Sequence, residues 1–108
     1  MLIQPIPMIH LIHEVQYHEK VDGRYEGNFN PPVTIKNVLV IYTNTIKKTA
    51  EGREKVLKST LFIDCVNSSP VLELKVGSKI VFEGKDLHVK KVDPIMGLKL
   101  HHYEVELT

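Results

Sequence analysis

An alternation of apolar and polar residues predicts the first strand of the fold. Between Met8 and His18 the odd-numbered positions, among them Ile9 and Tyr17, are mostly apolar, and the even-numbered positions are mostly polar. Successive side chains of a β-strand point to opposite faces, so this pattern is typical of a strand with one buried face. We therefore expect a half-buried strand over residues 8–18.

Two β-branched runs predict the second and third strands. The run 33–42 loses its strict alternation near Lys36 and Asn37. Either both faces of this strand are covered or a bulge lies near these two residues. The run 56–66 is followed by Asn-Ser-Ser-Pro at 67–70, whose short polar side chains and proline are typical of a turn.

The last third of the chain predicts three more strands. Ile80 and Phe82 share one face of a short strand, and a tight hairpin at 83–86 leads into a return strand over 87–92. Gly84 supplies the positive φ that such a turn needs.

A loop is expected at 93–97, which contains a proline and a glycine, before a final strand over 100–107. Six strands at these spacings indicate an all-β fold. We expect a small, partly open β-barrel of mostly antiparallel strands, forming one domain over 1–108.

Two connections are too long for simple hairpins. Residues 19–32 place Tyr25 and Phe29 among polar neighbours, and residues 43–55 contain four basic and two acidic side chains. Loops of this length are uncommon in compact domains and are often functional or disordered. Gly52 and the lack of an apolar stripe argue against a helix in the second connection, so a long flexible loop is expected at 43–55, between strands 2 and 3.

Composition excludes several classes of protein. The chain has 108 residues, of which 43% are hydrophobic and 25% charged, with a net charge of +1. This is ordinary for a globular domain and gives no basic surplus for a dedicated DNA-binding domain. No apolar stretch approaches the roughly 20 residues that span a bilayer, and no signal peptide is visible. The single cysteine, Cys65, fits a reducing compartment.

The six histidines raise the possibility of a metal site, but their spacing does not support one. His10 and His18 lie roughly 26 Å apart along an extended strand. His101 and His102 are adjacent and are expected to point to opposite faces. No CxxC or HExxH spacing is present, so no metal or other cofactor is expected. A histidine such as His13 is better interpreted as a rim or core residue with satisfied hydrogen bonds.

No catalytic constellation is apparent either. Cys65 lies in an apolar strand without a histidine at a motif offset, and we expect it to be buried and inert. Asp64 is expected to face solvent or to block a sheet edge. Nucleophile-elbow, P-loop and dinucleotide-binding motifs are missing, so the chain is expected not to be an enzyme.

Small β-barrels also bind nucleic acid through exposed aromatic residues flanked by basic ones. Here the aromatic residues alternate with polar ones in patterns that suit a core, and Lys90 and Lys91 are expected to face opposite ways. A β-barrel nucleic-acid-binding module is therefore kept as the alternative function.

Taken in order, seven short segments form a more specific signature than any of them alone. They are Pro5–Pro7, Leu11–Val15, Pro32–Val38, Leu61–Ser68, Val76–Ile80, Val89–Pro94 and Leu100–Leu107. This series resembles the minor capsid proteins of tailed phages and prophages of Gram-positive bacteria, which are related to the head-completion, or stopper, proteins of siphophage head–tail connectors. The likeness covers nearly the whole chain. Ser78 and Leu87 depart from it, standing where an aspartate and an aromatic residue are usual.

The resemblance implies a role in assembly. Such proteins are expected to be monomeric in solution and to form a ring on the particle, below the portal and adaptor. The ring is expected to contain twelve copies. The ring would retain packaged DNA and dock the tail. The protein would then act in the virion after assembly in the host cytoplasm, without membrane contact.

The resemblance also implies that residues 43–55 form a channel or gate loop. Its expected working residues are Thr45, Ile46, Lys47, Lys48, Glu51, Arg53 and Glu54. Their mixed charge suits pairing between neighbouring copies, or contact with DNA phosphates. Tyr25 and Phe29 are candidate partner-docking residues.

Overall fold

The computed structural model describes residues 4–21 and 29–108, with side chains described outside 43–49 and 53–57. A short 3₁₀ turn at Met8–His10 precedes six strands. The strands are β1 His13–His18, β2 Val33–Thr49, β3 Gly52–Asp64, β4 Lys79–Phe82, β5 Lys85–Met96 and β6 Leu100–Leu107.

The six strands form a closed antiparallel barrel in the order β1-β2-β3-β6-β5-β4. Strand β1 closes it because it pairs with β2 on one side and with β4 on the other. The predicted all-β, six-stranded antiparallel barrel is confirmed, and it is closed rather than partly open.

Of the two alternatives for the phase shift near Lys36 and Asn37, the structure shows a bulge. His13 pairs with Val38 and Glu14 with Lys36, so Asn37 is the extra residue on β2. Its φ of 57° lies in the left-handed region that asparagine tolerates better than most residues. The bulge resets the phase of β2, which explains the loss of strict alternation.

The hairpin predicted at 83–86 is also confirmed. Val81 pairs with Asp86 and Phe82 with Lys85, which leaves Glu83 and Gly84 as a two-residue turn. Both turn residues have positive φ, 50° and 77°, as the primed turns of tight hairpins require.

The core lies inside the barrel and receives side chains from all six strands. Its fully buried members include Val15, Ile35, Leu61, Ile80, Val89 and Val105. One polar group joins it: the Tyr17 hydroxyl donates to Ser78 Oγ at 3.3 Å and accepts from the Lys75 backbone N–H at 3.0 Å. Ser78 Oγ also accepts from the Lys20 N–H at 2.9 Å, so this position needs a hydrogen-bond acceptor.

Two strand boundaries differ from the prediction. Strand β1 begins at His13 because residues 8–10 form a 3₁₀ turn, and this leaves Ile9 exposed. Strand β5 runs on to Met96 through the expected loop, with Pro94 opposite Tyr103. Because β4 pairs with β5 only between Lys85 and His88, Pro94 lies on a stretch of β5 that has β6 as its one partner strand among the described residues, and proline is tolerated at such edge positions.

The largest difference concerns residues 43–55. Strands β2 and β3 continue through this segment and pair from Val38 opposite Ile63 as far as Thr49 opposite Gly52. The expected loop is therefore a β-hairpin whose turn lies at Ala50 and Glu51. Its flexibility stays a prediction.

Candidate functional site

The β2–β3 hairpin leaves the barrel and extends beyond it. Strand β2 pairs with β1 only up to Val38, and β3 pairs with β6 only from Ser59 onward. Between Thr43 and Lys58, no third strand joins the two in the described part of the chain. Because a two-stranded ribbon is only marginally stable alone in water, this hairpin presents strand edges on which another chain can pair.

The hairpin makes the molecule elongated. Seven residues per strand, from Thr43 to Thr49 on β2, span about 20 Å. A compact domain of this length has a radius of gyration of about 13 Å. The observed value is 15.3 Å, with principal extents of 50 × 36 × 25 Å. The extension is thus a projecting arm.

All seven sequence-predicted gate residues lie on this hairpin. Lys47 is registered opposite Glu54, and Lys48 opposite Arg53. These are backbone register positions on the two strands. Glu51 lies exposed in the turn. In sequence, residues 47–54 include three basic and two acidic residues.

The base of the hairpin is fixed to the barrel. The Val40 N–H donates to His13 Nδ1 at 3.0 Å, and the His13 ring packs edge-on against Phe82 with centroids 4.9 Å apart. The interpretation of His13 as a rim residue with a satisfied hydrogen bond is confirmed. Tyr42 also packs against Phe82, with the two ring centroids 6.0 Å apart. Lys85 Nζ lies 5.2 Å from the centroid of the Tyr42 ring.

Of the two candidate docking aromatic residues, the structure describes one, Phe29. Tyr25 lies outside the described residues. Phe29 is half-buried and lies against the barrel, with its ring 5.3 Å from Lys79 Nζ and 6.3 Å from the His88 ring. A docking role for Phe29 stays a prediction.

Asp64 corrects an expectation, because it is completely buried rather than solvent-facing. It lies at the end of β3, opposite the hairpin end of the barrel. Its carboxylate accepts backbone N–H bonds from Ile6 at 2.9 Å, Val66 at 2.9 Å and Asn67 at 2.8 Å. Asp64 thus holds both the following turn and the N-terminal arm, defined here as residues 4–7. The sequence did contain a signal for this role, because an aspartate placed before an Asn-Ser turn is typical of a side chain that accepts hydrogen bonds from the backbone of the turn.

His101 and His102 also differ from expectation, since their rings meet. Ile95 pairs with His102 and Met96 with Leu100, so His101 is a bulge residue and the parity rule fails there. The two Nδ1 atoms are 2.7 Å apart, and His101 Nε2 donates to the Gln4 carbonyl of the N-terminal arm. His102 Nε2 lies 3.6 Å from the Glu104 carboxylate.

The remaining candidate chemistry is sparse. Cys65 is half-buried rather than fully buried, and burial, then the neighbouring Asp64 carboxylate, raise the pKa of its thiol. A raised pKa lowers the thiolate fraction and thus reactivity. Among the described residues, no group of three or more His, Cys, Asp or Glu side chains is arranged to hold a metal ion. No helix in the same part of the chain is long and apolar enough to cross a membrane.

The described residues form a closed barrel with a projecting hairpin. Comparison with known families identifies the class of protein: the model of the minor capsid protein family matches residues 7–107. The chain belongs to the phage minor capsid protein family, whose members have a structural role in the virion. No curated protein matches the chain.

Proposed function

We propose that this minor capsid protein is a head-completion component of the head–tail connector. Copies of the chain form a ring below the portal and adaptor, retain the packaged DNA and offer a docking surface to the tail. The observation that carries the proposal is the β2–β3 hairpin, which extends beyond the barrel without a third strand.

The hairpin suits a contact between identical neighbours in a ring. In such a head-to-tail contact, one edge of each copy meets the other edge of the next copy. The outer edge of β2 and the outer edge of β3 are two different strand edges on one projection. Pairing between copies would satisfy both edges and would turn marginal two-stranded ribbons into a continuous sheet.

The charges of the hairpin support the same proposal. Lys48 and Arg53 are opposed within one copy, while Glu51 lies at the turn. A neighbouring copy that is shifted along the ring can supply the carboxylate of Glu51 or Glu54 to this cationic pair. Contact with DNA phosphates is the second source of negative charge, and pairing between copies is proposed as the primary one.

Reversal of the charge at Glu51 and Glu54 tests the proposal. In particles assembled with the Glu51→Lys/Glu54→Lys variant, repulsion between neighbouring hairpins should hinder ring closure. We expect particles that package DNA and then lose it, with a titre at least about tenfold lower, measured by plaque assay and by nuclease-protected DNA. An unchanged titre would contradict the proposal.

The chain offers a matched control on the barrel. Glu14 and Asp86 are exposed acidic residues in strands β1 and β5, outside the β2–β3 hairpin. The Glu14→Lys/Asp86→Lys variant makes the same change in net charge. Its particles should retain DNA as the unaltered particles do, which separates an effect of the hairpin from an effect of total charge.

The alternative nucleic-acid-binding function gains no support from the sheet surface. A bulge at Lys90 leaves both Lys90 and Lys91 exposed, so the expectation that they face opposite ways is corrected. The Nζ atoms of Lys90 and Lys58 each lie 3.8 Å from Oε1 of Glu106, and Nζ of Lys91 lies 3.5 Å from Oδ1 of Asp93. This face is charge-balanced, whereas a phosphate-binding face needs a basic surplus.

A further inference from the structure

The end of the barrel opposite the hairpin carries an apolar cleft. The cleft has a volume of about 160 Å³ and is lined by Pro5 of the N-terminal arm, Val66, residues 97–99 of the β5–β6 turn, and Leu100 and His101 at the start of β6. A cavity of about 150 Å³ in another protein is known to admit benzene, so this cleft has room for one leucine-sized side chain.

The rim of the cleft is unusually apolar for an exposed surface. Of the lining residues, Leu98 is 86% exposed and Val66 69%. Two large apolar side chains exposed at one concavity are typical of an interaction site, whereas isolated exposed apolar residues are normal.

Charge at the rim comes from one residue. Lys99 lines the cleft and is exposed, and no ion pair involves it within the described ranges. His101 also lines the cleft, but both of its ring nitrogens are engaged, Nε2 by the Gln4 carbonyl and Nδ1 by His102. Lys99 is therefore the lining side chain that can offer hydrogen-bond donors and a positive charge to a ligand.

Within residues 4–21 and 29–108, no acidic side chain lines the cleft. An apolar cup with a lysine at its edge is complementary to an apolar side chain that is followed by a carboxylate. We propose that this cleft docks an extended segment of a partner protein, which inserts a leucine-like side chain and places a neighbouring Asp or Glu against Lys99. This site lies at the opposite end of the barrel from the hairpin, and its occupancy does not depend on ring assembly.

Two short probes test the proposal on the isolated protein. The peptide acetyl-Gly-Leu-Glu-Gly-amide should shift the backbone amide signals of Gly97, Lys99 and His101 in a ¹⁵N-labelled sample. The peptide acetyl-Gly-Leu-Lys-Gly-amide should bind about threefold more weakly, since a solvent-exposed ion pair contributes little to affinity. Absence of shifts at these amides with the first peptide, or equal binding of both, would overturn the proposal.

Charge reversal makes the test specific. Lys99→Glu should invert the preference, so that the lysine peptide binds more tightly than the glutamate peptide. Lys36→Glu, at an exposed lysine of β2 that does not line the cleft, should leave the original preference unchanged. An inversion by Lys36→Glu, or no inversion by Lys99→Glu, would contradict the assignment. Both positions are exposed, and retained amide dispersion will show that each variant is folded.

Discussion

The wall of the barrel and the hairpin are built from the same two strands, yet they differ in how their backbone is satisfied. From Ser59 to Ile63, β3 has β2 on one side and β6 on the other, while β2 passes from pairing with β1 to pairing with β3 at Val38. From Thr43 to Lys58 the two strands pair with each other and, among the described residues, with no third strand. The wall at β3 is therefore paired on both sides within one chain, whereas the hairpin is suited to completion by another copy.

The difference extends to side-chain burial. In the wall, Leu61 and Ile63 alternate with half-buried or exposed residues and are fully buried. At the base of the hairpin, Ile41 and Tyr42 are both more than a third exposed. Burial of apolar area supplies most of the stability of a small domain, so we expect the wall to carry the stability and the hairpin to carry little of it.

The largest expected effect is on the wall and follows removal of the Asp64 carboxylate. Asp64→Ala leaves the N–H groups of Ile6, Val66 and Asn67 without the fully buried carboxylate that accepts their hydrogen bonds. An unsatisfied buried donor costs about 1–3 kcal/mol, so we expect a loss of about 3 kcal/mol or more in the free energy of unfolding, measured by urea denaturation.

Asp86→Ala is the matched control, because Asp86 is exposed in the short β4–β5 hairpin. It should change the free energy of unfolding by less than about 0.5 kcal/mol. Equal losses for the two variants would show that the buried carboxylate is not what holds the end of the barrel together.

A smaller effect is expected from alkaline pH. Burial raises the pKa of the Tyr103 phenol above 10.0 and that of the Cys65 thiol above 9.0, with nearby negative groups adding to both. The folded state thus holds these protons more tightly than the unfolded state does. The resulting stability is present below the ordinary pKa values and is lost as the pH rises through the folded ones.

We therefore expect the urea midpoint to fall between pH 8.5 and 11, and to fall less in a Tyr103→Phe/Cys65→Ser variant. Tyr42, at the base of the hairpin, also has a raised pKa, from burial first and then from Glu83. Its greater exposure predicts that Tyr42→Phe changes this pH dependence less than the double variant does. A midpoint that is constant across this range would contradict the assignment.

The parts of the fold that were predictable are those set by local chemistry. Gly84 and its polar neighbours Glu83 and Lys85 favour a tight turn, and the phase shift near Asn37 gave a bulge as one of two alternatives, because each signal depends on neighbours in sequence. The all-β class follows from period-2 alternation across most of the chain.

The parts that were mispredicted depend on contacts from outside the local sequence. Strands that project from the barrel need no buried face, so residues 43–55 lack the alternation that marks the other strands. Asp64 was predicted to face solvent from the alternation of side chains along β3. Asp64 is the last residue of β3, where this alternation ends, and its carboxylate instead accepts a hydrogen bond from the N-terminal arm. The bulge at His101 likewise interrupts the alternation of side chains, so the rings of His101 and His102 meet instead of pointing to opposite faces.

A small effect on stability is also expected from removal of the hairpin itself. Thr43 pairs with Lys58, so residues 44–57 can be replaced by Asn-Gly, which favours a two-residue hairpin turn. No barrel pairing is lost, and the free energy of unfolding of the isolated protein should change by less than about 1 kcal/mol. A loss as large as that of Asp64→Ala would mean that the hairpin supports the barrel.

The same shortened protein gives the most direct test of the central claim, that the hairpin works only between copies on the particle. The measurement is the fraction of nuclease-protected DNA in particles assembled with the shortened protein, compared with particles assembled with the unaltered chain. The account predicts that the shortened protein is folded and that its particles fill with DNA but fail to keep it. Full retention of DNA by those particles would contradict the account.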